Sequence, residues 1–159
     1  MLVPTVILMI TTTKHTEVMT LQELIQKYPK IFENYEGNPY GVNWSAPTGW
    51  LPIIDSMCGA IQNYIDGVYS FKDGVKITTP QLKCVQMKEK FGGLRFYTAG
   101  GDEAIQGMIR MATYMCRQVC EECGTPENLG VTDGWISICC KSCYDQGLAG
   151  GGDWTLKSK

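Results

Sequence analysis

The stretch CEECGTPENLGVTDGWISICCKSC, residues 120–143, begins and ends with a Cys-x-x-Cys pair. Sixteen residues separate Cys123 from Cys140, and this spacing is typical of a structural zinc site. Four thiolates complete the tetrahedral shell of Zn²⁺, so no position is left for water or a substrate. The sequence therefore predicts a structural zinc ion bound by Cys120, Cys123, Cys140 and Cys143.

One of these ligands has a competitor, because Cys139 directly precedes Cys140. We favour Cys140, since it completes the second Cys-x-x-Cys pair. The other three cysteines, Cys58, Cys84 and Cys116, fall on predicted apolar faces. We expect them to be buried as small hydrophobic side chains.

The residues between the two pairs predict a compact local fold. Gly124 permits a tight turn after the first pair, and residues 131–138 enclose Asp133-Gly134, which is typical of a short hairpin. The second pair begins a predicted helical turn, where backbone amides stabilise thiolate charge. A knuckle, a hairpin and a ligand pair at a helix start resemble the treble-clef class of zinc fingers.

The chain before residue 120 predicts three helices. Thr20 and Glu23 form a capping box at the start of the first helix. Residues 50–65 and 102–119 carry apolar side chains at helical spacing, with Asp102 as the N-cap of the later helix.

Strands are predicted between the second and third helices. Residues 75–78 form a short strand, residues 82–88 alternate between apolar and polar, and residues 94–98 return as the partner strand across Phe91-Gly92-Gly93. The predicted fold is α+β, with helices packed on a small antiparallel sheet and a C-terminal treble-clef-like four-cysteine zinc module.

Four segments follow from this pattern. Residues 1–18 are predicted to be a loose leader or an edge strand, and Met19 is an alternative natural start. Residues 19–118 form the predicted α+β core, and residues 119–146 form the zinc module. Residues 147–159 contain three consecutive glycines and are predicted to be a flexible tail.

Composition limits the classes of partner and compartment. The formal charge of −2 gives no general attraction to phosphate backbones or anionic membranes, and the apolar run near the N-terminus is too short to span a bilayer. Eight cysteines could form disulfides in an oxidising compartment. Their Cys-x-x-Cys pairing and the lack of an export signal favour zinc in a reduced cytoplasm.

The sequence predicts no catalytic residue. The single histidine, His15, lies in the predicted leader, so a cysteine–histidine pair is not expected. A zinc deaminase signature is imitated by Cys120-Glu121-Glu122 together with the second cysteine pair. Cys139 stands where that signature has proline, and Cys123 would close the open coordination position, so deaminase-like chemistry is only a weak alternative.

The predicted hairpin is basic, with five basic residues and one acid between Lys76 and Arg95. Its candidate binding cations for nucleic acid or another partner are Lys83, Lys88, Lys90 and Arg95. The aromatic residues interleaved with them are Phe91, Phe96 and Tyr97. Aromatic rings beside cations are typical of single-stranded nucleic-acid platforms. Strand alternation favours a second interpretation, in which the rings pack in the core and the cations coat the exposed face.

The motif KEKFGGLRFY, residues 88–97, precedes a predicted helix and the paired cysteines. In this order, from about Met19 to Tyr144, the chain resembles a group of small uncharacterised bacteriophage proteins. The resemblance implies a phage origin and a host cytoplasm setting. With no catalytic group predicted, we expect an accessory protein that binds a host or phage macromolecule and in doing so inhibits a host process. A protein is the leading expected partner, nucleic acid is the alternative, and no membrane partner is expected.

Overall fold

A computed structural model describes residues 18–33, 41–67 and 69–157. Its helical elements are α1 (Leu21–Lys27), a 3₁₀ turn (Thr48–Trp50), α2 (Leu51–Gly67), α3 (Glu103–Cys116) and α4 (Lys141–Asp145). Its strands are β1 (Tyr69–Lys72), β2 (Val75–Thr78), β3 (Lys83–Glu89), β4 (Leu94–Ala99), β5 (Leu129–Thr132), β6 (Ile138–Cys140) and β7 (Trp154–Leu156). This confirms the predicted α+β class, since the described chain has four α-helices and only small antiparallel sheets.

Two helices begin at the predicted capping residues. The Thr20 hydroxyl accepts a hydrogen bond from the Glu23 amide, and the Glu23 carboxylate accepts one from the Thr20 amide at 2.7 Å. The Asp102 carboxylate accepts from the Ile105 amide at 3.1 Å. These bonds satisfy amides that the helix itself leaves unpaired, which explains where α1 and α3 start.

The main hydrophobic core lies between α2, α3 and the β3–β4 hairpin. Helix α2 packs against α3, and α3 packs against β4. The buried side chains include Ile54 and Ile61 of α2, Ile105 of α3, and Met87 and Leu94 of the hairpin. Within the described residues, none of the helices has the length and apolar character that a membrane span needs.

The β3–β4 hairpin forms in the predicted place. Lys88 lies opposite Arg95 in the antiparallel register, and Met87 lies opposite Phe96. The outer edge of β3 is covered, because the Ser45 amide donates to the Met87 carbonyl at 2.8 Å. At Met87 this edge is therefore already paired within the chain.

The predicted flexible tail is wrong for residues 154–156. These residues form β7, which pairs antiparallel with β5 beside β6. The Trp154 indole N–H donates to the Cys139 carbonyl at 3.1 Å, and its ring occupies the space where Gly130 has no side chain. Strands β5 and β7 lie far apart in the chain, so their pairing leaves no local sequence pattern. The consecutive glycines are the available signal, and they predict a flexible tail. The leader prediction concerns residues 1–18, of which residues 1–17, His15 included, lie outside the described residues.

Candidate metal centre

Four cysteine sulfur atoms converge at the C-terminal end of the fold. The Sγ atoms of Cys120, Cys123, Cys140 and Cys143 all lie within 4.8 Å of one another. The Cys123 and Cys140 sulfur atoms are 3.8 Å apart. Zinc–thiolate bonds of about 2.3 Å in a tetrahedron place sulfur atoms about 3.8 Å apart. The group can therefore hold a metal ion, and its all-sulfur donor set suits zinc.

The first pair lies on a knuckle that follows α3, residues 120–124. The Cys120 amide donates to the Thr125 carbonyl at 2.8 Å, and the Gly124 amide donates back to the Cys120 carbonyl at 2.9 Å. Gly124 has a φ of +76°, a conformation that costs glycine little. The knuckle thereby turns the Cys120 and Cys123 side chains toward the same point.

The second pair lies where β6 passes into α4. Cys140 is the N-cap of α4, and its sulfur accepts a hydrogen bond from the Cys143 amide at 3.4 Å. Burial by itself would raise the pKa of the Cys140 thiol, but hydrogen bonds from the Cys143 amide and neighbouring thiols lower it below its ordinary value. Donors at a helix start stabilise the thiolate, which is the form that binds a metal.

Cys139 is buried but lies outside the sulfur cluster. Burial raises the pKa of its thiol to about 11, which disfavours the thiolate. The structure therefore brings Cys140 rather than Cys139 to the other three sulfur atoms. The alternation of β6 places these two neighbours on opposite sides of the strand.

The remaining cysteines are buried, as predicted. Burial raises the pKa of Cys58 and of Cys116 to about 12 and also raises that of Cys84. All eight cysteines lie in the described part of the chain, and none forms a disulfide. Neutral thiols inside an apolar core behave as small hydrophobic groups.

Glu121 links the two halves of the centre. Its buried carboxylate accepts from the Ile138 amide at 2.7 Å and from the Ser137 hydroxyl at 2.9 Å. Its own amide donates to the Ile138 carbonyl at 2.9 Å, so the knuckle is fastened to β6. Burial raises the pKa of this carboxyl group. The sequence suggested Glu121 only as part of a deaminase-like pattern, and its contacts instead hold the two cysteine pairs together.

We expect Glu121→Ala to destabilise the zinc module by about 1–3 kcal/mol, because it leaves the buried Ile138 amide and Ser137 hydroxyl without their acceptor. Glu121→Gln is the matched control, since its side-chain oxygen still accepts from the Ile138 amide. Thermal unfolding with zinc content measured in parallel checks both variants. Equal unfolding temperatures for the alanine and glutamine variants would contradict this role of Glu121.

The knuckle docks on the core at the start of α2. The Gly49 amide donates to the Glu121 carbonyl at 2.7 Å, and Gly49 has no room for a side chain against the knuckle backbone. At the tip of the β3–β4 hairpin, a Cβ on Gly92 would lie 3.0 Å from the Ile138 side chain. Sequence reasoning missed both contacts, because a glycine in a loop gives no signal of what lies beside it.

The four candidate binding cations of the hairpin do not have equal surroundings. Lys83 forms an ion pair with Glu33 at 2.5 Å, at the end of β3 away from the hairpin tip. Lys88, Lys90 and Arg95 form no ion pair with another described residue. Of the four, only Lys83 therefore has its charge balanced by an acidic neighbour among the described residues.

The aromatic residues of the hairpin also divide into two groups. Phe96 is buried in the core, as strand alternation predicts. Phe91 and Tyr97 are exposed. The interpretation that the aromatic rings pack in the core therefore holds for Phe96 but not for Phe91 or Tyr97.

Comparison with models of known protein families, with curated proteins and with solved structures found no match. The fold and the site themselves define the class, an α+β protein with a four-cysteine group that can hold a metal ion. The treble-clef arrangement and the bacteriophage resemblance remain predictions from the sequence.

Proposed function

We propose that the protein is a zinc-stabilised accessory protein that acts by binding a macromolecule. The observation that carries this proposal is the convergence of four cysteine sulfur atoms within 4.8 Å. Four thiolates fill a tetrahedral shell, so the ion stabilises the fold and has no position for a reacting molecule. The knuckle, the β5–β6 hairpin and α4 follow one another in the order that a treble-clef-like module requires.

Zinc-dependent deaminase chemistry is the enzymatic alternative, and the geometry gives it little support. That chemistry needs three protein ligands and a metal-bound water. Cys123 supplies a fourth sulfur atom here, so no position is left for that water. The Glu121 carboxylate already accepts hydrogen bonds from the Ser137 hydroxyl and the Ile138 amide.

The proposed metal would support an exposed hairpin tip that could contact a partner. The knuckle and the β6–α4 junction would be joined through the ion, and the tip of the β5–β6 hairpin, residues 133–136, lies between the two cysteine pairs in the chain. This tip carries Trp135, a residue that is 69% exposed. An exposed aromatic residue on a rigid support loses less conformational freedom when a partner binds, and this favours binding.

The resemblance of residues 88–97 to bacteriophage proteins supports a viral origin and a host cytoplasm setting for this function. A reducing cytoplasm keeps thiols available for zinc. The proposed partner is a host or phage protein whose binding inhibits a host process. Nucleic acid is the second candidate, favoured by the three hairpin cations that have no ion-pair partner among the described residues.

Covalent cross-linking in bacterial cells that express the tagged full chain tests this proposal. We expect a defined protein or nucleic-acid partner to cross-link with the wild-type chain and to be lost with Trp135→Ala, while zinc content stays unchanged. Tyr114→Ala is the matched control, because Tyr114 is also exposed but lies on α3. Identical cross-linked partners for all three chains would contradict a binding function of this surface.

A further inference from the structure

A cleft of about 330 Å³ opens where the tips of two hairpins meet. The β3–β4 tip and the β5–β6 tip line it with Glu89, Lys90, Phe91, Gly134, Trp135 and Ile136. Ligand sites in proteins start at about 300 Å³, so the cleft is large enough for one small planar group. Sequence analysis did not connect these two tips, which lie far apart in the chain.

Two aromatic side chains are exposed at this cleft. Phe91 is 62% exposed and Trp135 is 69% exposed. Aromatic rings are the side chains that contribute most when a partner covers them. Each ring comes from a different part of the fold, so the cleft exists only when the zinc module is docked on the core.

The Phe91 backbone is held in an unfavourable conformation. Its φ is +54°, a region that bulky residues rarely occupy. The turn is fixed because the Lys90 amide donates to the Gly93 carbonyl at 2.9 Å and the Gly92 amide donates to the Glu89 carboxylate at 2.8 Å. Strained residues that the surrounding structure holds in place are concentrated at binding sites.

Cations on the β3–β4 hairpin suit a polyanion, and one of them, Lys90, lines the cleft. The Lys90 ammonium lies 5.3 Å from the centre of the Phe91 ring, and Lys88 and Arg95 lie opposite each other just below the turn. None of the three has an ion-pair partner among the described residues. The acidic residue that lines the cleft, Glu89, accepts a hydrogen bond from the Gly92 amide.

We infer that the cleft binds a base of single-stranded nucleic acid. Phe91 and Trp135 stack on bases, and Lys88, Lys90 and Arg95 contact the phosphates. Aromatic stacking beside a positive surface is the way in which proteins bind single strands with little sequence preference. A duplex keeps its bases inside the helix, so it cannot fill the cleft in this way. The inference rests on the proposed binding function and selects nucleic acid, the second of its two candidate partners.

Fluorescence anisotropy with labelled oligothymidine and oligouridine of about 20 nucleotides tests the inference, since single-strand sites span about 4–16 nucleotides. The full-length protein is used with its metal content measured. We expect binding that weakens between about 50 and 200 mM salt, because three cations release counterions from the strand. The polymer with the higher affinity distinguishes DNA from RNA as the partner, and a duplex of the same length binds more weakly than the preferred strand.

Two variants remove the stacking rings without an expected loss of fold. We expect Trp135→Ala and Phe91→Gly each to weaken binding at least about fivefold. Glycine readily adopts the positive φ at position 91, so this change removes the ring and relieves the backbone. Tyr114→Ala is the control, because Tyr114 is 64% exposed but lies on α3 and does not line the cleft. This variant should bind as the wild type does.

Three results would overturn the inference: no salt-sensitive affinity for either oligomer, a preference for the duplex, or wild-type affinity in both ring variants. If zinc is still bound, each of these results leaves the zinc-stabilised binding function in place with a protein as its partner. A protein that binds no metal would instead contradict the proposed function itself. The metal measurement therefore distinguishes the two failures.

Discussion

Replacing Cys143 with serine is expected to abolish zinc binding and unfold the C-terminal third of the chain. The Cys143 sulfur atom is one of the four in the cluster, and the Cys143 amide also donates to the Cys140 sulfur atom. Structural zinc sites contribute apparent binding free energies of about 10–16 kcal/mol, as much as the whole stability of a typical domain. Cys120→Ser should have the same effect. Circular dichroism, thermal unfolding and metal content measure the result.

Cys139→Ala is the matched control for this prediction. Cys139 is as buried as Cys120 and adjoins Cys140, but its sulfur atom lies outside the cluster. We expect this variant to keep its zinc and to lose only about 1 kcal/mol of stability, the usual scale for a core side chain made slightly smaller. Cys58→Ser, in the main core, should likewise perturb packing only mildly and leave zinc bound. Equal thermal stability of Cys143→Ser and these two controls would contradict the assignment of the ligands.

Adding a methyl group at Gly49 is expected to separate the zinc module from the core. The new Cβ would lie 2.7 Å from the Glu121 carbonyl oxygen and closer still to the Cys120 carbonyl oxygen. These are backbone atoms, so no side chain can rotate away to make room. Overpacking of this kind costs about 3 kcal/mol, or about 6–12 °C in unfolding temperature for a chain of this size. Thermal unfolding of Gly49→Ala measures the change.

Gly107→Ala is the control for Gly49→Ala. Gly107 lies within α3, and the nearest atom to its Cβ would be the end of the Arg110 side chain at 4.0 Å. Alanine in a helix is favoured over glycine by up to about 1 kcal/mol, so this variant should be slightly more stable than the wild type. If both variants unfold at the wild-type temperature, the close contact between Gly49 and the knuckle is not present in solution.

The sequence was sufficient for elements that leave a local pattern. The capping box at Thr20, the N-cap at Asp102 and the β3–β4 hairpin all lie where they are predicted. The cysteine spacing selected the four residues whose sulfur atoms converge. In each case the residues that make the contact are close in sequence or follow a known period.

The contacts between distant segments could not be predicted in this way. Strand β7 pairs with β5 through only three residues, which is too short for an alternating pattern. The Glu121 carboxylate accepts hydrogen bonds from Ser137 and Ile138, which lie 16 and 17 positions further along the chain. The sequence does not give the relative placement of these two segments. The cleft between Phe91 and Trp135 depends on the docking of the whole zinc module. Such contacts are determined by tertiary packing rather than by local preference.

X-ray absorption at the zinc edge, on protein purified without a chelator and with its metal quantified, tests the central claim most directly. We expect one zinc ion per chain with four sulfur neighbours at about 2.3 Å. A chain without zinc, or an ion with an oxygen or nitrogen neighbour in place of one sulfur, would contradict it.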